Sequence, residues 1–500
     1  MLTRQRHRIV FYWFAVVFII ALVSIQQSVW AAAQAKPPVV KSQVSVESPR
    51  YGGTVKIITP MAANNLGCPW ERRMPTDSQL SVPAIETLIR FDEKGFPTVP
   101  VLATSWKLSN DKLAITLALR KGVKFHDGED FNAEAVKANL ELTRVSPNAP
   151  SLKIITSVDV LDTYTVRLNL SQYDPTIFNT LASGALPAGI ISPAAIKKGK
   201  DFCLTHPVGT GPFKMTSFQR DVSLRFEKFD GYWQKGKPYL DAIEWVFIAD
   251  RVSAQMAFKA GQGQVIYGIN PADADDLKTA GKYVIAMTPS GGFGIAGDSA
   301  NPKSPFADIR VRRAIEYAIN KEAIAKGMGY NFYWVANQPA TAVNWYYNPK
   351  IAGYPYNPKK AKELLAQAGY RNGLKTRMII ATTNPKDVYV AIQNNLAEVG
   401  IDAKLEVVTP ANYAEIMLNG WENSLLYYNH PTGVGMDPAM SLASNLSSKG
   451  RYVSILHPAD YEKKLEKAST ELDPKKRVAM FQELMKLIVD DYALVNMVYS

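Results

Sequence analysis

Apolar and polar positions change period several times along this chain, and the changes mark its elements. After Gly52-Gly53 the β-branched run through Ile58 predicts a first strand over Tyr51–Ile58. Leu113, Ile115, Leu117 and Leu119 share one face of a second strand, and Val166, Leu168 and Leu170 share one face of a third. Turns at Asn110-Asp111 and Asp162-Thr163 lead into these two half-buried, antiparallel strands. Further along, the spacing becomes helical. Asp308 caps a predicted helix whose stripe is Val311, Ala314, Ile315, Ala318 and Ile319. Asn357-Pro358 opens a helix that stops at Gly369, and Asn384-Pro385 opens one that ends at Gly400. Asp473-Pro474 opens a last helix with Val478, Phe481, Leu484, Met485 and Ile488 on one face. Strands and helices mix without a 20–50-residue repeat, so the class is α/β rather than a solenoid.

The first 35 residues break the pattern. Arg4, Arg6, His7 and Arg8 precede an apolar run over residues 9–23, and Ala31–Ala35 supplies small residues. This is the order of a secretory signal, with cleavage sites ending at Ala33 or Ala35. A membrane anchor needs ~20 apolar residues, more than this run offers. No cysteine stands near the site, so the expected destination is the periplasm rather than a lipid-tethered surface. A Pro- and Val-rich linker fills 36–49.

Losing the signal removes three arginines and lowers the formal charge from +12 to +9. No run of four basic residues exists, so nucleic acid is not an expected partner. Hydrophobic residues make up 47% of the chain, enough for real cores and against a disordered reading. Cys68 and Cys203 are the two cysteines, and the sequence leaves open whether they pair.

Catalytic motifs are missing. No H-E-x-x-H, P-loop or G-x-S-x-G occurs, and the two cysteines lack the neighbouring histidines of a zinc site. His126-Asp127-Gly128-Glu129 reads as a tight turn. Gly209-Thr210-Gly211-Pro212 lacks the lysine of a phosphate loop, and Pro212 lacks an N–H. No catalytic residue, metal or cofactor is assigned. A hydrolase using two carboxylates, or a sensory binding protein, stays open as an alternative.

Four segments, in order, resemble the family-5 extracellular solute-binding proteins of ABC importers, the group with oligopeptide-, dipeptide- and nickel-binding members. They are Pro100–Ser109 (PVLATSWKLS) running on to Leu119–Gly128 (LRKGVKFHDG); Pro207–Phe213 (PVGTGPF) with Gly231-Tyr232-Trp233; Pro305–Ala314 (PFADIRVRRA) with Tyr317–Ile324; and Tyr356–Tyr370 (YNPKKAKELLAQAGY). The resemblance implies a bilobal, type II periplasmic-binding-protein clamshell of the large cluster C kind. Lobe one is expected at 50–290 with an extra subdomain inserted at about 84–207, and lobe two at 291–488. Residues 489–500 are expected to cross back to lobe one. Family members run some tens of residues further, so the resemblance implies a natural chain that continues past Ser500.

The implied task is capture of a small solute (a peptide, an anion or a metal chelate) by a monomer. Delivery is to permease and ATPase subunits at the inner membrane. One ligand wall is expected at Trp70, Arg72 and Arg73, an aromatic face beside two guanidinium groups. The other is Tyr427, Tyr428, Asn429, His430 and, after a longer loop, Asp437. Peptide-binding relatives place an aspartate close after this strand to accept an α-ammonium group. No acid follows Tyr428 closely, which argues against ordinary peptide recognition. Trp345, Tyr346 and Tyr347 are expected to pack within a lobe.

Overall fold

The structure, a computed structural model, describes residues 49–71, 75–93, 95–184, 186–287, 291–432, 437–471, 473–492 and 495–499. The expected leader and nearly all of the expected linker lie outside these residues.

The first lobe is built on a five-stranded sheet. Its order is Val265–Ile266, Thr54–Thr59, Ala242–Phe247, Ser223–Lys228 and Phe213–Gln219. The Thr54–Thr59 strand runs parallel to both of its neighbours, so the chain must leave the sheet and return between them. Leu224, Phe226 and Phe247 pack there with Leu66, Cys68, Ile85 and Cys203. Both cysteines are buried thiols outside any disulfide, and the Cys203 thiol donates to the Ala195 carbonyl.

A separate core is drawn wholly from residues between Leu88 and Ile190. Its antiparallel sheet has the order Ala103–Leu108, Ala114–Leu119, Thr165–Leu170, Ile155–Asp162. The two-residue period appears as expected: Ile115, Leu117, Val166 and Leu168 are fully buried. Leu113 does not continue the stripe; it precedes the strand and is exposed.

The signature segments meet at one carboxylate. Glu86 accepts from Thr210 Oγ1 (2.9 Å), Trp233 Nε1 (2.9 Å) and Tyr232 Oη (3.0 Å). Burial outweighs these donors and raises its pKa above the ordinary 4.5. A β-carbon on Gly209 would lie 2.1 Å from the Ala84 carbonyl oxygen, so only glycine allows this approach. His126 is buried beside it, with Nε2 3.0 Å from the Gly211 carbonyl oxygen, in a structural role.

The second lobe carries a six-stranded sheet in the order Trp334–Val335, Val495–Tyr499, Gly291–Gly297, Leu425–Pro431, Leu374–Ala381, Ile401–Val408. Its middle is covered on both faces, which is why Met378–Ala381 is a continuous buried apolar run, whereas Ile401–Val408 at the edge alternates buried and exposed positions in its first half. Met378, Ile380 and Leu425 pack on one side with Ile315, Tyr389 and Ile392. Ile379, Leu426 and Tyr428 pack on the other with Tyr346, Phe481 and Leu484.

Asp308, Asn357 and Asp473 cap their helices through their side chains. Asn384 does not. Its side chain accepts from Ala381 N instead, and the Lys386–Glu398 helix starts without a side-chain cap. Arg310 pairs with Asp308, and Arg312 and Arg313 donate to backbone carbonyls, so these arginines fasten loops. Lys321 and Glu316 form a buried ion pair at 2.5 Å.

The segment expected to cross back ends in a strand. Val495–Tyr499 is hydrogen-bonded inside the second lobe's sheet, antiparallel to Gly291–Gly297. The partner strand lies some two hundred residues earlier and left no local mark.

Candidate functional site

The Leu425–Pro431 strand divides the residues that the sequence singled out. Leu425, Tyr427, Asn429 and Pro431 point to one face, and Leu426, Tyr428 and His430 to the other. Tyr427 and Asn429 are half-buried, whereas Tyr428 and His430 are each 1% exposed. His430 Nδ1 lies 3.2 Å from the Tyr428 hydroxyl. Burial, with the Arg451 charge, pulls its pKa down to about 3, so the ring is neutral at physiological pH. Tyr428 and His430 are therefore core residues.

Antiparallel pairing with Gly291–Gly297 runs the full length of this strand, but pairing with Leu374–Ala381 stops at Leu426. Beyond that point two phenols cover the free edge. Tyr413 Oη donates to the Tyr427 carbonyl (2.7 Å), and Asn429 N donates to Tyr452 Oη (3.1 Å). Burial and the neighbouring phenols push the Tyr413 and Tyr427 pKa values well up, so both rings are neutral hydrogen-bonding groups.

Arg451 adds a charge that sequence reasoning missed. Its Nη2 donates to Asn429 Oδ1 (3.1 Å) and its Nε to Asn445 Oδ1 (2.7 Å), while its guanidinium lies 5.3 Å from the Tyr452 ring centre. The Tyr427 phenol and the Asn429 amide project from the same face of the strand. Hydroxyl, amide and guanidinium thus converge on one aromatic wall, a composition suited to fixing a small polar molecule. Arg451 stands 22 residues after Asn429, beyond any periodicity that links them.

Asp437 has another occupation. It caps the Pro438–Leu446 helix through Ala439 N and accepts both Arg477 Nη atoms at 2.9 Å. It also accepts from Asn179 Nδ2 at 2.5 Å, from the Thr176–Ala182 helix. Nearby, Phe96 stacks on Trp345 at 5.7 Å. Between them lies a cavity of about 220 Å³ lined by Trp106, Tyr173, Phe178 and Arg477 among others. Trp345 and Tyr346 do pack in the second lobe's core.

Trp70 sits half-buried on the one-turn helix Pro69–Glu71, with its carbonyl accepting from Ser146 Oγ at 2.5 Å. Among the described residues it has no hydrogen bond or ring contact with the Leu425–Pro431 strand. Arg72 and Arg73 lie outside the described residues.

Comparison with known proteins gives this arrangement its context. Residues 98–452 match the model of the bacterial extracellular solute-binding proteins, family 5. The chain is 34% identical to the glutathione-binding protein GsiB of Pectobacterium atrosepticum, over 64% of its own length and 62% of the relative's. It is 32% identical to GsiB of Escherichia coli O1:K1 over 78% of each. Among solved structures, the periplasmic binding protein DppA of Helicobacter pylori, in complex with the peptide STSA, superposes with a TM-score of 0.72. That match is 28% identical and covers 90% of this chain and 94% of that one. The chain belongs to family 5 of the bacterial extracellular solute-binding proteins, the two-lobed solute-capturing components of ABC importers.

Proposed function

We propose that this chain, freed of its leader at Ala33 or Ala35, works in the periplasm as a monomer. It captures a compact peptide-like solute of the glutathione type and hands it to a permease and its ATPase. The wall of Tyr427, Asn429 and Arg451 forms the second lobe's side of the site, and the Trp70–Arg73 segment forms the first lobe's side. Closure follows from a solute that touches both lobes and so favours the closed form by its differential affinity.

The observation that carries this reading is the capped edge of the Leu425–Pro431 strand. An extended peptide would bind by adding a strand there, and the Tyr413 and Tyr452 hydroxyls already occupy those backbone groups. A compact solute recognised through side chains meets no such competition. Glutathione fits the missing acid after Tyr428 as well, because its α-ammonium group carries its own adjacent carboxylate. The identity with two glutathione-binding proteins supports the same choice.

The test is thermal unfolding of the mature chain with reduced glutathione, linear tripeptides, sugars and nickel–histidine. Glutathione at 100-fold over its Kd adds about 2.7 kcal/mol and raises the midpoint. Stabilisation by linear tripeptides but not by glutathione would overturn the choice of solute. Consumption of the solute by the purified protein would overturn the binding role itself.

A further inference from the structure

We infer that Arg451 is the receptor for a solute carboxylate, which makes this a site for acids rather than for their neutral amides. The inference rests on the capture reading above and names the chemical class that the site selects.

The argument is one of missing charge. Arginines in the interior of this protein are generally provided for: Arg477 has the Asp437 carboxylate at 2.9 Å, and Arg312 lies near Asp308 and Asp491. Arg451 is half-buried yet has no carboxylate partner among the described residues. The stretch 433–436, close by in sequence, is Gly-Val-Gly-Met and holds no acid. Both of its hydrogen-bond acceptors are the oxygens of neutral amides, Asn429 and Asn445. His430 is neutral, and burial keeps the Tyr427 phenol protonated. A guanidinium removed from part of its water without a counter-charge costs free energy that an incoming anion offsets.

The geometry adds direction. Nε and Nη2 are engaged, and Nη1 has no partner among the described residues. Asn445 is fully buried, and its Nδ2 is without a hydrogen bond, so its amide is held with oxygen toward Arg451 at a cost. That orientation fixes the guanidinium fork. A planar fork with free N–H groups matches a carboxylate, and the Tyr427 phenol stands beside it as a second donor.

The experiment measures binding of matched pairs to the mature chain by calorimetry: glutathione against its diamide, and alanylalanine against alanylalaninamide. The wild type prefers acid over amide by about 10-fold or more. Arg451→Gln levels the preference to within about twofold, and Arg451→Lys, which keeps the charge, restores part of it. Asn429→Asp places an internal carboxylate beside Arg451 and also abolishes the preference, so the proposal stays testable if Arg451→Gln does not fold. An acid preference that survives in Arg451→Gln or Asn429→Asp overturns the proposal, as does a wild type that binds amides and acids equally. If no member of either pair binds, the capture of peptide-like solutes fails, and this proposal fails with it.

Discussion

Asn179→Ala removes a hydrogen bond between the Thr176–Ala182 helix and Asp437, residues that the proposed clamshell puts on opposite lobes. Asn179 is 8% exposed in the Thr176–Ala182 helix, and its amide donates to Asp437 at 2.5 Å. When the lobes part, Asp437 keeps both Arg477 contacts, so it is not orphaned, and Asn179 exchanges its partner for water. The bond therefore favours the closed form by the net value of a hydrogen bond to a charged acceptor, about 1.5–3 kcal/mol. Each 1.4 kcal/mol is tenfold, so the variant should bind glutathione about 10- to 100-fold more weakly. Alanine suits a helix, and folding should survive. Titration calorimetry gives the affinity, and small-angle scattering of the solute-free protein gives the shape. The variant should show the larger radius of gyration. Affinity within twofold of wild type, with scattering unchanged, would refute the claim that this contact belongs to the closed form.

Two further expectations concern stability. The Lys321–Glu316 pair has side chains only 7% and 4% exposed, so Glu316→Ala should cost about 3–5 kcal/mol in urea unfolding, whereas Glu316→Leu with Lys321→Met should be nearly neutral. A loss below 1 kcal/mol in Glu316→Ala would show that water reaches the pair. Glu86 gives a pH dependence: its folded pKa lies above the ordinary 4.5, so the folded state holds this proton more tightly than the unfolded state does. That contribution is complete below pH 4.5 and is lost as pH rises through the folded value. The urea midpoint of Glu86→Gln should therefore gain on that of the wild type across this window and run parallel above it. The opposite trend would mean that the three donors, not burial, set the pKa.

Local structure was largely legible in the sequence. The Thr165–Leu170 strand and the Asp308, Asn357 and Asp473 caps follow from contacts within a few residues, where periodicity and capping chemistry act. Asn384 failed because two backbone donors compete for one side chain, and Ala381 N won over the helix that follows. The site was half legible. The family resemblance pointed to the Leu425–Pro431 strand, and only the covering layer behind it shows that Tyr428 and His430 face inward. Arg451 reaches Asn429 across 22 residues and Asn179 reaches Asp437 across 258, and no local rule connects either pair.

The two phenols over the Leu425–Pro431 edge bear on more than recognition. A strand whose backbone groups are bare is a template for any other strand, including one from a second copy of the same protein. In a machine that must part its halves to load cargo, such a rim would be offered for self-association in each empty cycle. With Tyr413 and Tyr452 seated on it, the Tyr427 carbonyl and the Asn429 N–H are not bare to a second strand, and Tyr413→Phe should uncover the first of them, which light scattering of the concentrated variant would register.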